Sequence, residues 1–327
     1  MFGGGRTTPE NDVEALTFLR HLPRDVLFIE PFHGLGNRLR AVACAAALAE
    51  KSRRTLVVVW ISDHHVNSSM SVLFNLGNLT VVDYHVSHLL TRVWPDVKLY
   101  DYNSKGRKDE VLLDTYPGPL YVRSAYVLQS QTRVSEPEIS AQLRNFMPSE
   151  GVLRWYHALE SSLNQKSTVI GVHIRMNTDI RKDVPGIEEL RDEDPAGILN
   201  MGPVARERRR CHYRYFIPHL DDALLRDPQA VFFISSDSYE AVLAMRARYG
   251  RKVISNTLDA FEQCEGKFTR GNICLQIFLA ELLILGTRTS ELITSDWSSA
   301  SELAFRLSAK PRLPKSGCAA KRKSWFG

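Results

Sequence analysis

With 327 residues, 44% hydrophobic and 24% charged, the chain has the composition of a globular protein with room for two domains of ordinary size. The 42 Lys and Arg outnumber the 37 Asp and Glu by a formal +5, which suits an anionic ligand. No Lys/Arg run is interleaved with aromatics, which argues against a nucleic-acid partner.

The opening MFGGGRTTP lacks the apolar core of a signal peptide, and no apolar span of about 20 residues occurs elsewhere. As written, the sequence reads as cytoplasmic, or as an ER or Golgi lumenal protein if it is the catalytic piece of a longer one. Val26 to Glu30 (VLFIE) predicts a first strand. It leads into His33-Gly34-Leu35-Gly36-Asn37-Arg38, whose two glycines allow a tight turn and close backbone approach. Leu39 to Lys51 then predicts a helix, and its alanines would let it lie close against a sheet. A helix N-terminus there suits an anion or sugar nucleotide, although a glycine turn that only reverses the chain is the commoner case.

Thr55 to Trp60 (TLVVVW) predicts a second strand, completing a βαβ unit. The Asp63-His64-His65 that follows does not predict a metal, because adjacent residues at a strand end point apart. Leu79 to Asp83 and Leu120 to Arg123 predict further strands, with Pro95 to Pro119 as loop on the sheet rim. Glu136 to Asn164 has helical periodicity, broken at Pro148 and Gly151. A domain boundary near residues 148 to 166 divides the chain into 1–150 and 151–327.

The second half opens on Ser167 to Ile174, an apolar β-branched run typical of a strand buried on both faces. Alternation puts His173 and Arg175 on the same face at its carboxyl end, where a guanidinium pairs with phosphate or carboxylate or simply closes a salt bridge. Asn177 to Arg210 is long, polar and charged, either a solvated loop or a lid. Tyr213 to Leu225 is an amphipathic helix that Pro218 bends or begins. Ala230 to Ile234 is a strand ending in Ser235-Ser236-Asp237-Ser238, with Asp237 or Ser238 capping helix Tyr239 to Tyr249. Val253 to Ser255, helix Asn272 to Leu285, strand Leu292 to Thr294 and helix Leu303 to Ser308 complete the series, with Ser295 to Glu302 between the last two. The basic tail from Lys310 to Lys323 reads as a solvated terminus. Five cysteines without CxxC spacing argue against zinc. Cys264 and Cys274 would pair in an oxidising compartment, but buried free thiols are the favoured reading.

If the second sheet is parallel, three polar strand ends fall along one edge: His173/Arg175, Ser235 to Ser238, and Ser295 to Glu302. Gly34-Leu35-Gly36-Asn37-Arg38 with its alanine-rich helix and TLVVVW strand, His173-Ile174-Arg175, and Leu285-Gly286-Thr287 leading to Ser295-Asp296-Trp297-Ser298-Ser299 together resemble the fucosyltransferase superfamily. That superfamily includes protein O-fucosyltransferases, α-1,6-fucosyltransferases and the Nod-factor fucosyltransferase; the similarity spans roughly residues 26 to 308.

The resemblance implies an α/β protein of GT-B type, with two Rossmann-like domains facing each other across a cleft. It implies inverting, metal-independent transfer of fucose from GDP-fucose to a glycan or protein hydroxyl, with no cofactor beyond the donor substrate. Arg175 is implied to bind the β-phosphate and stabilise the departing GDP, with Asn37 and Asp179 as further catalytic candidates. His33, Gly34, Gly36, Arg38, His173, Ser236, Asp237, Ser295, Asp296, Ser298 and Ser299 are the implied donor contacts, Asp237 toward guanine or ribose and Ser298 and Ser299 toward phosphate oxygens. Met176 and Ile180 stand where some relatives carry Arg and Lys, so further positive charge would come from Arg38, Arg270 or the Arg206 to Arg210 cluster. The acceptor base stays open among Asp63, Asp179 and Glu30. The residues alone leave open another nucleotide sugar or a non-catalytic GDP-sugar-binding module, as well as the oligomeric state.

Overall fold

The computed structural model describes residues 9–104, 110–163, 168–176, 208–256, 270–308 and 313–319. The chain divides into two compact units, Met1–Leu153 with Arg270–Gln276, and Arg154–Thr269 with Ile277–Gly327.

The first unit holds α1 (Pro9–His21), β1 (Val26–Pro31), α2 (Leu35–Ser52), β2 (Thr55–Val59), α3 (Met70–Leu73), β3 (Phe74–Asn75), β4 (Thr80–Val82), α4 (Ser87–Val93), β5 (Lys98–Asp101), β6 (Leu120–Ser124), α5 (Glu136–Asn145) and β7 (Met147–Pro148). Helix α6 (Glu150–Leu163) follows and carries the chain past the division. Five parallel strands stand in the order β4-β2-β1-β6-β5, and β3 pairs with β7 in a separate antiparallel ribbon. All six residues of β1 are buried, the apolar Val26 to Ile29 as expected of a strand covered on both faces and Glu30 and Pro31 with them. In α2 Gly36, Ala41, Ala43, Ala45, Ala47 and Ala49 are all buried, small residues that let the helix be packed closely on more than one side.

Three expectations change here. Helix α2 begins at Leu35, so Gly36, Asn37 and Arg38 occupy its first turn. The left-handed position of the preceding turn is taken by His33 (φ 64), while Gly34 has an ordinary extended conformation (φ −66, ψ 164) and caps the helix. Pro95 to Pro119 is not loop throughout, since it contains β5; only Tyr100 of that strand is buried, so its apolar signal is weak. Gly151 lies inside α6, and the interruption between the helices comes from the β7 ribbon.

The second unit contains β8 (Val169–Ile174), α7 (Ile217–Arg226), β9 (Val231–Ser236), α8 (Tyr239–Tyr249), β10 (Val253–Ile254), most of α9 (Asn272–Thr287), β11 (Glu291–Thr294), α10 (Ser299–Leu307) and β12 (Lys315–Ser316). Pro218 lies in the first turn of α7 and marks its start; a 3₁₀ turn at Tyr213–Tyr215 precedes it. Its sheet is parallel throughout, in the order β10-β9-β8-β11-β12. Chain order runs from β8 outward through β9 to β10 and then returns to the other side of β8. The strand order therefore reverses between β8 and β11, the point where open α/β sheets leave a crevice. A core of Val172, Ile174, Phe216, Leu220, Phe232, Ile234, Val242 and Ile293 seals one face of this sheet. Gly171 is needed for close approach, since a Cβ there would stand 2.7 Å from the Leu292 side chain.

Cys211 and Cys318 form a disulfide across 107 residues of sequence. Cys274 is disulfide-bonded as well, its partner lying outside the described residues. The free-thiol reading is thus corrected for Cys274, while Cys264 lies outside the described residues; Cys44 is a buried free thiol. The 211–318 pairing is tertiary, and nothing in local spacing announces it. No helix of the described residues is long and apolar enough to cross a membrane.

Candidate functional site

Parallel pairing brings the expected strand ends of the second unit together. β8 is flanked by β9 and β11, with His173 in register with Ser235 on one side and Thr294 on the other, and Ile174 with Ser236. The backbone N–H of Arg175 donates to Ser295 Oγ (2.9 Å). The Arg175 guanidinium donates through Nη1 to Asp237 Oδ2 (2.5 Å), and the Met176 N–H donates to Asp237 Oδ1 (3.0 Å). One carboxylate thus clamps both the side chain and the backbone that follows it. With the two side chains 19% and 14% exposed, the guanidinium is braced by a charged partner yet open to solvent. The guanidinium is a planar fork of N–H donors, a geometry that matches phosphate or carboxylate oxygens.

Below this edge the polar groups are buried. His173 is 3% exposed and its Nδ1 lies 2.8 Å from Ser301 Oγ, while the Ser301 hydroxyl donates to Ser295 O (2.9 Å). That hydroxyl has one proton, so Nδ1 must be the donor and Nε2 keeps a free lone pair for an N–H or O–H. Burial, reinforced by the Arg175 charge, pushes the His173 pKa down to about 3, so the ring is neutral. Ser295 and Ser301 therefore link the β8 and β11 ends through the first turn of α10. That helix starts at Ser299, four residues before the expected Leu303, so Ser299 lies in its first turn and Ser298 is its N-cap. Ser298 is buried and makes no side-chain capping bond. Asp296 accepts from Ser316 Oγ (2.8 Å). Ser236 Oγ accepts the Ser238 N–H, and Ser238 in turn caps α8 by accepting the Ala241 N–H (3.2 Å).

Glu281 on α9 was not singled out in the sequence. It is 4% exposed, accepts the Ser235 hydroxyl (2.7 Å) on one oxygen, and has no hydrogen-bond partner for the other among the described residues. Burial pushes its pKa up to about 8, so it is protonated at neutral pH. A lone Glu in an otherwise apolar helix was the available signal.

In the first unit, the expected Arg38 is fully used. It is 1% exposed, donates to His33 O (2.9 Å) and Ile61 O (2.6 Å), pairs with Asp63 (2.8 Å) and lies over the Trp60 ring at 5.1 Å. It ties the turn after β1 to the end of β2 and presents no charge outward. Asn37 accepts from Arg40 Nη2 (2.9 Å). Asp63 also caps the His65 and Val66 N–H groups, and Glu30, 1% exposed, takes the Tyr121 hydroxyl. The His33 and His65 rings are 5.6 Å apart and those of His64 and His65 3.9 Å apart. Burial pushes His33 and His65 down from their ordinary range, opposed by Asp63. Among the described residues, no group of three or more His, Cys, Asp or Glu is placed to hold a metal. Asp179 and the Asn177 to Arg210 segment lie outside the described residues except for the last three positions, as does Ile180.

The two α/β units, each built on a five-stranded parallel sheet, make a fold of the GT-B type. No protein-family model and no curated protein matches the sequence. Solved structures do match, NodZ fucosyltransferase among them. NodZ α-1,6-fucosyltransferase soaked with GDP-fucose superposes with a TM-score of 0.55 at 15% identity, over 88% of this chain and 93% of that one. The enzyme from Bradyrhizobium gives 0.52 at 14% identity, over 86% and 93%. POFUT1 in complex with GDP-fucose gives 0.52 at 14% identity, over 92% of this chain and all of that one. FUT1 of Arabidopsis thaliana in complex with GDP gives 0.52 at 15% identity, over 91% and 73%. The chain has a fucosyltransferase-like fold.

Proposed function

We propose that this chain transfers fucose from GDP-fucose to a glycan or protein hydroxyl, with inversion and without a metal. The observation that carries this reading is Arg175, held by Asp237 and Ser295 at the edge where the strand order reverses. The shared fold with proteins solved in complex with GDP-fucose supports the choice of donor.

In this reaction the acceptor oxygen forms a bond to C1 of fucose as the bond from C1 to the β-phosphate oxygen breaks. The electron pair leaves on GDP, and the acceptor proton passes to a base. Negative charge grows on the β-phosphate along this path. A cation fixed beforehand interacts more strongly with the transition state than with the bound donor, and so lowers the barrier selectively. Asp237 pre-orients the guanidinium, so no reorganisation is needed at the moment of bond cleavage. The neutral His173 leaves Nε2 as an acceptor for a nucleotide hydroxyl or N–H. Ser298 and Ser299, at the start of α10, are the phosphate-oxygen contacts in this reading, helped by the positive end of the helix. The disulfides at Cys211–Cys318 and Cys274 favour an oxidising compartment, and we place the protein in the secretory lumen on that ground.

Calorimetric titration of GDP, GDP-fucose and UDP into wild type and Arg175→Ala tests the reading. The wild type is expected to bind GDP and GDP-fucose but not UDP. Loss of charge-assisted bonds worth roughly 1.5–3 kcal/mol should weaken GDP about 10- to 100-fold in the variant. Equal GDP affinity in the two proteins would remove Arg175 from the phosphate role.

A further inference from the structure

Strand β12 is only two residues long and lies at the sheet edge, pairing Lys315 with Ile293 and Ser316 with Thr294. A pairing this short cannot hold itself, because the backbone entropy lost in fixing its residues outweighs its very few ladder bonds. It nevertheless makes specific contacts with the loop that begins at Ser295. Ser316 Oγ donates to Asp296 Oδ2 (2.8 Å), the Asp296 N–H points to Cys318 Sγ (3.4 Å), and the Gly317 N–H donates to Thr294 O (2.9 Å). The Cys318 N–H donates to Ser316 Oγ (3.2 Å), which sets that hydroxyl toward the carboxylate. On its other side the segment is fastened to the stretch just ahead of α7. Cys318 is bonded to the buried Cys211, the Ala319 N–H donates to Arg210 O (2.8 Å), and Gly317 lies so close to Phe216 that a Cβ would meet the ring at 2.2 Å.

We infer that the Cys211–Cys318 disulfide is a redox-sensitive anchor for the donor-binding loop, acting through Ser316 and Asp296 as positioning residues. The inference rests on the proposed donor site for its functional consequence. With the bond intact, β12 backs Asp296 and thereby the adjoining Ser295, whose hydroxyl receives the Arg175 N–H. When a dithiol reduces the bond, its thiolate attacks Cys318 Sγ, the more accessible half, since Cys211 is 1% exposed. The Cys211 thiolate leaves and takes a proton from water. The second thiol of the reagent then attacks the mixed disulfide, releasing the Cys318 thiol and a cyclic disulfide of the reagent. β12 loses its tether, the Ser316–Asp296 bond opens, and the loop becomes mobile.

The test compares oxidised wild type, the double variant Cys211→Ser/Cys318→Ser, and Ser316→Ala and Ser316→Thr with the disulfide intact. The double variant is preferred to bulk reduction because Cys274 is also disulfide-bonded. Backbone amide exchange at residues 295–298 and the Kd for GDP are read on all four. Expected are at least about tenfold faster exchange and about tenfold weaker GDP binding in the double variant, a shift of ~1.4 kcal/mol. Ser316→Ala should move both readouts in the same direction by a smaller factor, and Ser316→Thr should restore them. Exchange at 295–298 unchanged within twofold in both the double variant and Ser316→Ala would overturn the inference. If the double variant fails to fold, Ser316→Ala alone decides. Absence of GDP binding by oxidised wild type would instead count against the donor site, and the exchange readout would still decide the anchor.

Discussion

Glu281 offers a prediction whose size follows from its surroundings. Its carboxyl is buried beside Ser235, with a pKa pushed up to about 8 by desolvation from an ordinary 4.5. Because the folded pKa lies above the unfolded one, its contribution to stability is fully present below about pH 4.5 and is lost as pH rises toward 8. Each unit of pH well within that window costs about 1.4 kcal/mol and less at its ends, so going from pH 5 to pH 8 should cost the wild type roughly 3–4 kcal/mol through this group alone. Glu281→Gln keeps an acceptor for the Ser235 hydroxyl and removes the titration. The variant is therefore expected to lose stability at pH 5, where it trades a neutral acid for an amide, and to gain on the wild type steadily toward pH 8. Urea unfolding at half-unit intervals between pH 5 and 8 measures the wild-type-minus-variant difference, in which other titrating groups cancel. A difference that stays flat across this range would refute the assignment of a neutral buried carboxyl.

His173 should show the opposite slope. Its folded pKa of about 3 lies below the ordinary 6.5, so stability is present above that value and is lost as pH falls toward 3. His173→Gln is expected to be less acid-sensitive than wild type in the same unfolding series; equal acid sensitivity would show that the ring is protonated in the fold. In the first unit, Arg38→Met should destabilise by about 3 kcal/mol, because it strands the Asp63 carboxylate and two backbone carbonyls. Pairing it with Asp63→Asn should recover part of that loss, and a strictly additive double variant would mean that the two residues do not act together.

Arg175 was legible in the sequence as a strand-end guanidinium because period-2 alternation and a β-branched run are local signals. What alternation could not supply was the partner. Asp237 lies 62 residues further on and was expected at guanine or ribose, yet its two oxygens hold the Arg175 side chain and the Met176 backbone. Arg38 was a donor contact only as the resemblance implied it. Its partners at Ile61 and Asp63 come from the end of the next strand, and they turn the side chain inward. The glycines themselves were over-read, since the strained conformation of the turn falls on His33.

Hydrophobic periodicity, strand and helix order and the polar residues at the strand ends are properties of short stretches, and the sequence by itself determined them. An alternating βα chain is also forced toward parallel sheets by the handedness of its crossovers, so the meeting of three polar strand ends on one edge followed from order alone. Only the tertiary structure decided which groups pair across that edge. It also set the protonation of His173 and Glu281, which depends on burial by distant elements, and it joined Cys211 to Cys318. Charge pairing, desolvation and disulfide formation act through distances in space, and a sequence fixes those distances only after the whole chain has packed.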